Sequence, residues 1–269
     1  MEIKRIFTDM DGTLLNSQGR VSETNAHMIR QSGLPLTLVS ARAPMEMREA
    51  LEALNLTGAQ VGFNGALIYR LENGKVQPLH TQVIQKAVVG QVLKTVRQHF
   101  PEVSLSYYDL ENWYCDRIDE GIRYEYQLTQ QDPTFVTDQE KFLKGRTNTF
   151  KIMMICFEEE TMQDLQGHLQ GLGMEGITIQ RSGQYYLEIT HQAAKKSKGI
   201  AYILEKENLE KEATAAFGDG HNDIPMLEMV GYPIVMANAF DDVKVYAYKV
   251  TRSNDRDGVG YGIKKYLRA

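Results

Sequence analysis

Asp9 and Asp11 lie two residues apart in Thr8-Asp9-Met10-Asp11-Gly12-Thr13-Leu14-Leu15, directly after the largely apolar run Ile3-Lys4-Arg5-Ile6-Phe7. If that run is a strand, both carboxylates leave its carboxyl end, the edge where open α/β sheets place their ligands. Two carboxylates so spaced can share one cation while one attacks as a nucleophile and the other moves protons. Alone, an Asp-x-Asp is more often a turn or a solvated pair. A second acidic cluster, Gly218-Asp219-Gly220-His221-Asn222-Asp223, follows another strand-like run, Ala213-Thr214-Ala215-Ala216-Phe217, and can converge with the first on one metal.

Taken together, the two clusters resemble the motifs of the haloacid dehalogenase (HAD) superfamily, specifically its Cof-type phosphatases. Asp9-Met10-Asp11-Gly12-Thr13 would be the first motif, and Gly218-Asp219 through Asn222-Asp223 the fourth. The resemblance implies that Asp9 attacks phosphorus to form an aspartyl phosphate. Asp11 would protonate the leaving oxygen and then deprotonate the hydrolytic water. It also implies Mg2+, held by the Asp9 carboxylate, the Asp11 backbone carbonyl and Asp219, with Asp223 supporting the metal's waters from behind. Oxygen-only ligation suits that hard ion.

Further site residues follow from the same resemblance. Asn222 would orient a phosphate oxygen or Asp223. Ser40, at the end of Leu36 to Val39, would be the second motif and donate its hydroxyl to phosphate; the chain reads Ser40-Ala41-Arg42 where relatives commonly carry glycine in the middle. Arg42 can grip either the substrate or a nearby carboxylate through its guanidinium fork. Lys198, in Ser197-Lys198-Gly199, matches the third-motif lysine if Ser197 caps the helix. Lys195 and Lys196 are so close that the assignment depends on where that helix starts. Asn64-Gly65-Ala66 matches a family segment near the substrate entrance, although Asn-Gly is equally a hairpin turn selected for positive φ.

The elements that must hold these residues read as an α/β alternation. Ile3 to Thr8, Leu36 to Ser40, Gln60 to Phe63, Thr214 to Phe217, Pro233 to Met236 and Lys249 to Arg252 are strand-like, with helical stretches Glu23 to Gln31, Met45 to Leu54, Ser197 to Glu207, Ile224 to Val230 and Val243 to Tyr248 between them. Such alternation implies parallel pairing with right-handed crossovers. Between these halves the texture changes: helices Val83 to Phe100 and Thr161 to Leu172 accompany paired strands Val103 to Asp109, Asn112 to Asp116, Phe150 to Phe157, Ile177 to Arg181 and Tyr185 to Thr190. The expected fold is therefore α/β: a Rossmann-like parallel-sheet HAD core, residues 1–81 and 191–269, with an inserted α+β cap of the C2 type, residues 82–190.

Composition narrows the function classes. The 269 residues are 42% apolar and 24% charged, values of a folded domain rather than a disordered chain. A net charge of −5 argues against a general nucleic-acid binder, so an anionic substrate must meet local positive charge. Cys115 and Cys156 are too few for a disulfide framework or zinc site and read as reduced packing residues. A first strand beginning almost at the first residue leaves no room for a signal peptide, and no apolar stretch reaches membrane-spanning length. A cytoplasmic enzyme, monomeric or weakly dimeric and without membrane or nucleic-acid partners, is the expectation.

Other residues have competing readings. Asp255-x-Asp257-Gly258 fails as a calcium loop because Lys264 stands where a bidentate Glu is required. The segment Asn254 to Gly258 is either a surface turn or part of the site. His221 reads as a spacer, since the inferred ion prefers oxygen. Met153 and Met154 read as packing, and Lys144, Arg146 and Tyr185 are further candidates for cap contacts to substrate. The resemblance thus implies a magnesium-dependent phosphatase acting on small phosphomonoesters, sugar phosphates or related metabolites, through the aspartyl phosphate. The alternatives are a sugar phosphomutase using the same aspartyl phosphate and a non-catalytic metabolite-binding regulator.

Overall fold

The near-continuous apolar strands expected at the chain's two ends do pair in parallel, as buried central strands must when helices cover both faces. The computed structural model describes residues 2–145 and 147–267. Its elements begin with β1 (Arg5–Thr8), α1 (Glu23–Ser32), β2 (Leu36–Leu38), α2 (Pro44–Ala53), β3 (Gln60–Gly62), β4 (Leu67–Glu72) and β5 (Lys75–Thr81). They continue with α3 (Lys86–His99), β6 (Ser104–Tyr108), β7 (Trp113–Cys115), α4 (Glu120–Thr129), β8 (Thr134–Phe135), α5 (Gln139–Lys144), β9 (Lys151–Ile155), α6 (Glu159–Gly171), β10 (Ile177–Arg181) and β11 (Tyr186–His191). The last are α7 (Lys196–Glu207), β12 (Thr214–Gly218), α8 (Ile224–Leu227), β13 (Tyr232–Val235), α9 (Asp241–Lys244), β14 (Lys249–Val250) and α10 (Gly258–Gly262).

Two units emerge. The first comprises Met1–Arg42, Met47–His80 and Lys195–Ala269; the second comprises Ala43–Glu46 and Thr81–Ala194. In the first unit a parallel sheet runs β14-β13-β12-β1-β2. A parallel bridge from Val39 to Val61 leads from β2 towards β3, which turns antiparallel into β4. Phe7, Val39, Val61, Ala216 and Val235 from the strands pack with Ile200 and Ile203 of α7 and Met226 and Leu227 of α8 in one buried cluster. Helix α1 starts where Ser22 Oγ accepts from the Asn25 amide at 3.0 Å and stops at Gly33, whose φ of +68° suits a left-handed cap.

The second unit is an α+β layer built on a six-stranded sheet of order β10-β11-β9-β6-β7-β8. Alternate residues Leu105, Tyr107, Ile152, Met154, Leu187 and Ile189 turn to one face, where Val89, Val92, Leu93 and Val96 of α3 and Met162, Leu165 and Leu169 of α6 cover them. That alternation is the period-two pattern of a sheet with one apolar face. Cys115 and Cys156 are buried free thiols. Among the described residues no helix is long and apolar enough to cross a membrane.

Several elements differ from the sequence reading. Helices α4 and α5 and the short β8 lie between residues 116 and 149, where the sequence pattern predicts no element. Gly121 weakens the helical signal of α4, yet a side chain there would collide with Ser104 and Ile155, so close helix–sheet packing requires it. The helix expected over Val243 to Tyr248 is the four-residue α9, because the Tyr248 amide already bonds the Pro233 carbonyl, at 2.8 Å, to begin the edge pairing.

Candidate active site

Strand register brings the candidate carboxylates to one edge. Thr8 lies opposite both Phe217 and Leu38, so Asp9, Asp219 and Ser40 all follow the carboxyl ends of neighbouring parallel strands. The Asp9 amide extends the ladder by donating to the Phe217 carbonyl at 3.0 Å. One carboxylate oxygen each from Asp9, Asp219 and Asp223 falls within 4.8 Å of the others. Asp9 and Asp223 are buried, and Asp219 is half-buried.

The lysine in this cluster is Lys196, which corrects the expectation of Lys198. Lys196 Nζ donates to Asp9 Oδ1 at 2.5 Å and to Asp223 Oδ1 at 2.8 Å, with the residue only 3% exposed. Helix α7 starts at Lys196 rather than at Ser197, and Lys198 is exposed. The reason is helical geometry. Gly199, Ile200 and Ile203 form the buried face of α7, and Lys196 precedes them by three, four and seven residues, whereas Lys198 projects elsewhere.

Hydrogen bonds divide the three carboxylates by role. Asp223 accepts three bonds: Oδ2 from the Asp219 and Gly220 amides, both at 3.0 Å, and Oδ1 from Lys196. It therefore braces the loop. Asp219 Oδ1 accepts from Thr13 Oγ1 at 2.6 Å, a partner the sequence reading had not singled out although Thr13 stands in the first motif. Lys196 takes Asp9 Oδ1, which leaves the second oxygens of Asp9 and Asp219 for a cation.

The charge balance favours such a cation. Burial, reinforced by Asp223 and Asp11 and opposed by Lys196, holds the Asp9 carboxyl well above its usual range. Burial lowers the Lys196 ammonium, but Asp223 and Asp9 outweigh it and the net direction is upward. Asp219 is pushed up to about 6, chiefly by burial and by Asp223, against the Thr13 bond and Lys196. Three clustered carboxylates with one ammonium form an oxygen-only, electron-rich donor set, which fits a hard divalent ion.

This predicts a measurable cost in the metal-free protein. The folded Asp219 binds its proton more tightly than an ordinary carboxylate at 3.8, so its ionisation destabilises the fold, and stability rises as pH falls through about 6 towards 3.8. In chelator, Asp219→Asn is expected to melt above the wild type at neutral pH, with the gap closing across that window. A wild type melting higher than the variant at neutral pH would overturn this electrostatic reading.

The remaining candidates vary in how they meet the cluster. Arg42 grips Asp11 with its fork, Nη2 to Oδ1 at 2.6 Å and Nε to Oδ2 at 2.9 Å, realising the carboxylate option. Ser40 is fully buried; its Oγ accepts from the Arg42 amide at 3.1 Å, which leaves the hydroxyl proton to be donated elsewhere. Asn222 is exposed beside Gly220. His221 Nε2 pairs with Asp242 Oδ2 at 2.7 Å, both exposed. In the second unit Met153 and Met154 are buried, Tyr185 packs edge-on against Phe157, and Lys144 pairs with Glu140; Arg146 lies outside the described residues.

Asn64 and Gly65 belong to a left-handed turn. Phe63, Asn64 and Gly65 have consecutive φ values of +49°, +56° and +97°, and the Asn64 amide donates to the Ser40 carbonyl at 2.8 Å. A side chain at Gly65 would strike the Lys195 backbone, so this turn supports the start of α7 beside Lys196. Gly65→Ala is expected to cost about 2 kcal/mol or more in urea unfolding and to lower turnover by displacing Lys196. Unchanged stability would show that the turn does not constrain α7.

Buried carboxylates and a lysine gathered at the carboxyl edge of a parallel sheet define an α/β enzyme with a cation-compatible acidic centre. Residues 6–263 match the family model described as haloacid dehalogenase-like hydrolase, and the chain belongs to that family. Phosphatase YwpJ of Bacillus subtilis is 26% identical over 98% of this chain and 100% of its own. The 5-amino-6-(5-phospho-D-ribitylamino)uracil phosphatase YcsE, also of Bacillus subtilis, is 27% identical over 99% of this chain and 97% of its own. The crystal structure of a haloacid dehalogenase-like hydrolase from Bacteroides thetaiotaomicron superposes with a TM-score of 0.89 at 25% identity, covering 98% and 99% of the two chains. The chain is thus a hydrolase of the phosphatase type.

Proposed function

We propose that this protein is a magnesium-dependent phosphomonoesterase that hydrolyses small phosphorylated metabolites, sugar phosphates or related compounds, through a phosphoryl group carried on Asp9. The observation that carries this reading is the buried Asp9 carboxylate, held through Oδ1 by Lys196 and set against Asp219 at the sheet edge. An ionised carboxylate needs no base to become a nucleophile. The Asp9 carboxylate attacks phosphorus through one oxygen as the bond to the leaving oxygen breaks, and Asp11 supplies the proton that the leaving oxygen takes up. Water then attacks the phosphorus, Asp11 recovers a proton from it, and the Asp9–phosphorus bond breaks to release phosphate.

The other groups support that sequence. Lys196 neutralises the nucleophile and the incoming phosphate together. Mg2+ would be held by the Asp9 and Asp219 carboxylates and the Asp11 backbone carbonyl, with Asp223 bracing the loop, and supplies neutralisation of the phosphate oxygens. The Ser40 hydroxyl donates to phosphate, with Asn222 as a further orienting amide. Arg42 holds Asp11 until a substrate anion competes for the guanidinium. Asn64 and Gly65 shape the entrance, and residues 82–190 take the part of a cap that excludes bulk water and admits only small substrates. The name of the relative YcsE, a phosphatase for a phosphoribityl compound, supports a phosphate ester on a sugar-derived chain.

Phosphate release from a panel of small phosphomonoesters, with Mg2+ and with chelator, tests this reading. Release that depends on Mg2+ is expected, with sugar and polyol phosphates among the better substrates. Silence across the panel from folded protein would overturn it.

A further inference from the structure

We infer that Asn238 and Asn254 form a two-residue relay that positions the nucleophile loop, holding the backbone on either side of Thr13 and Leu14 so that Asp11 and Gly12 keep their places beside Asp9 and Asp219. Its catalytic consequence rests on the function proposed above. The loop needs external support because its backbone is irregular: Asp11 is extended at φ −75°, ψ 122°, and Gly12 is left-handed at φ +75°. Carbonyls in such a segment lack regular ladder partners.

The relay supplies those partners from the two loops that follow the neighbouring strands. Asn238, beyond β13, donates from Nδ2 to the Gly12 carbonyl at 2.8 Å. Asn254, beyond β14, donates from Nδ2 to the Leu15 carbonyl at 2.9 Å. The two are joined, because the Asn254 amide donates to Asn238 Oδ1 at 3.0 Å. Asp255 continues the grip by accepting from the Ser17 amide at 2.7 Å. Asparagine suits this task, since one side chain offers both a donor and an acceptor. Neither side chain is buried, so position rather than packing explains the pair. The segment Asn254 to Gly258, open to two readings in the sequence, is in this account part of the site's support.

Asn238 and Asn254 act through Asp11 and Gly12 and are positioning residues. Partners of this kind typically change activity by 10–100-fold. Asn238→Ala and Asn254→Ala are each expected to lower kcat by about tenfold with KM within about twofold. Because the two share one chain of bonds, their effects should be non-additive in the double variant. Hydrogen exchange provides a readout that needs no catalysis. Amides of residues 10–17 should exchange faster in both variants, and the Asn254 amide should lose protection in Asn238→Ala, while the β1 and β12 amides keep theirs.

A double variant with kcat within about twofold of wild type would overturn the relay. So would unchanged exchange at residues 10–17, or faster exchange throughout the central sheet, which marks a general structural role. If the wild type releases no phosphate with Mg2+, the proposed function fails, and exchange alone still decides whether these asparagines hold the loop.

Discussion

Asp9→Asn is expected to lower turnover by at least about 10⁴-fold while the protein stays folded and melts at or above the wild-type temperature. The amide keeps the shape of the side chain but cannot attack phosphorus as a carboxylate does. The stability half of the prediction follows from the charge balance. Burial and Asp223 already disfavour the ionised Asp9, and Lys196 retains its bond to Asp223 Oδ1 at 2.8 Å after the change. Removing a charge that the fold holds against its preference relieves the metal-free protein, a trade of stability for activity common at catalytic centres. An active, folded variant would remove Asp9 from the role of nucleophile. A variant that melts well below the wild type would show that the Lys196–Asp9 pair supports the fold more than the crowding of carboxylates opposes it.

Lys196→Met should be damaging in both respects, and Lys198→Met in neither. Methionine keeps the length of the stem and removes the ammonium, leaving Asp9 and Asp223 buried without their shared counter-charge. Stranding a buried charge costs about 3–5 kcal/mol, and losing a preorganised cation at the transferring phosphoryl group costs about 10²–10³-fold in kcat. Lys198 is exposed, and its replacement should leave kcat within about twofold. Parallel urea titrations and phosphate-release kinetics on the two variants decide the assignment. Equal effects, or a larger effect at Lys198, would contradict the placement of Lys196 at the centre of the site.

The parallel core was legible because apolar runs such as Ile6-Phe7 and Thr214 to Phe217 have little freedom to be anything but buried strands, and the acidic residues follow them directly. The lysine is legible too, in the spacing of the helix that carries it. Counting back from the apolar face Gly199, Ile200 and Ile203 selects Lys196, whereas starting the helix from Ser197 as a cap selects Lys198. Helix α4 was hidden because Gly121, required for close approach to the sheet, lowers local helical propensity. Other features leave no local trace at all. Thr13 meets Asp219 across 206 residues, and Asn238 meets Gly12 across 226, so only the closed fold brings them together. The guanidinium fork of Arg42 suits a substrate anion or a carboxylate equally, and the choice of Asp11 depends on a loop geometry that spacing does not encode.

The central claim is that phosphoryl transfer passes through Asp9. It is tested most directly by acid-quenching the protein during turnover of its best substrate with Mg2+ and mapping the phosphorylated peptide by mass spectrometry. The account predicts a phosphoryl group on the Asp9 carboxylate, absent in chelator and in Asp9→Asn. Rapid phosphate release with no adduct at any quench time, or an adduct on another residue, would contradict it.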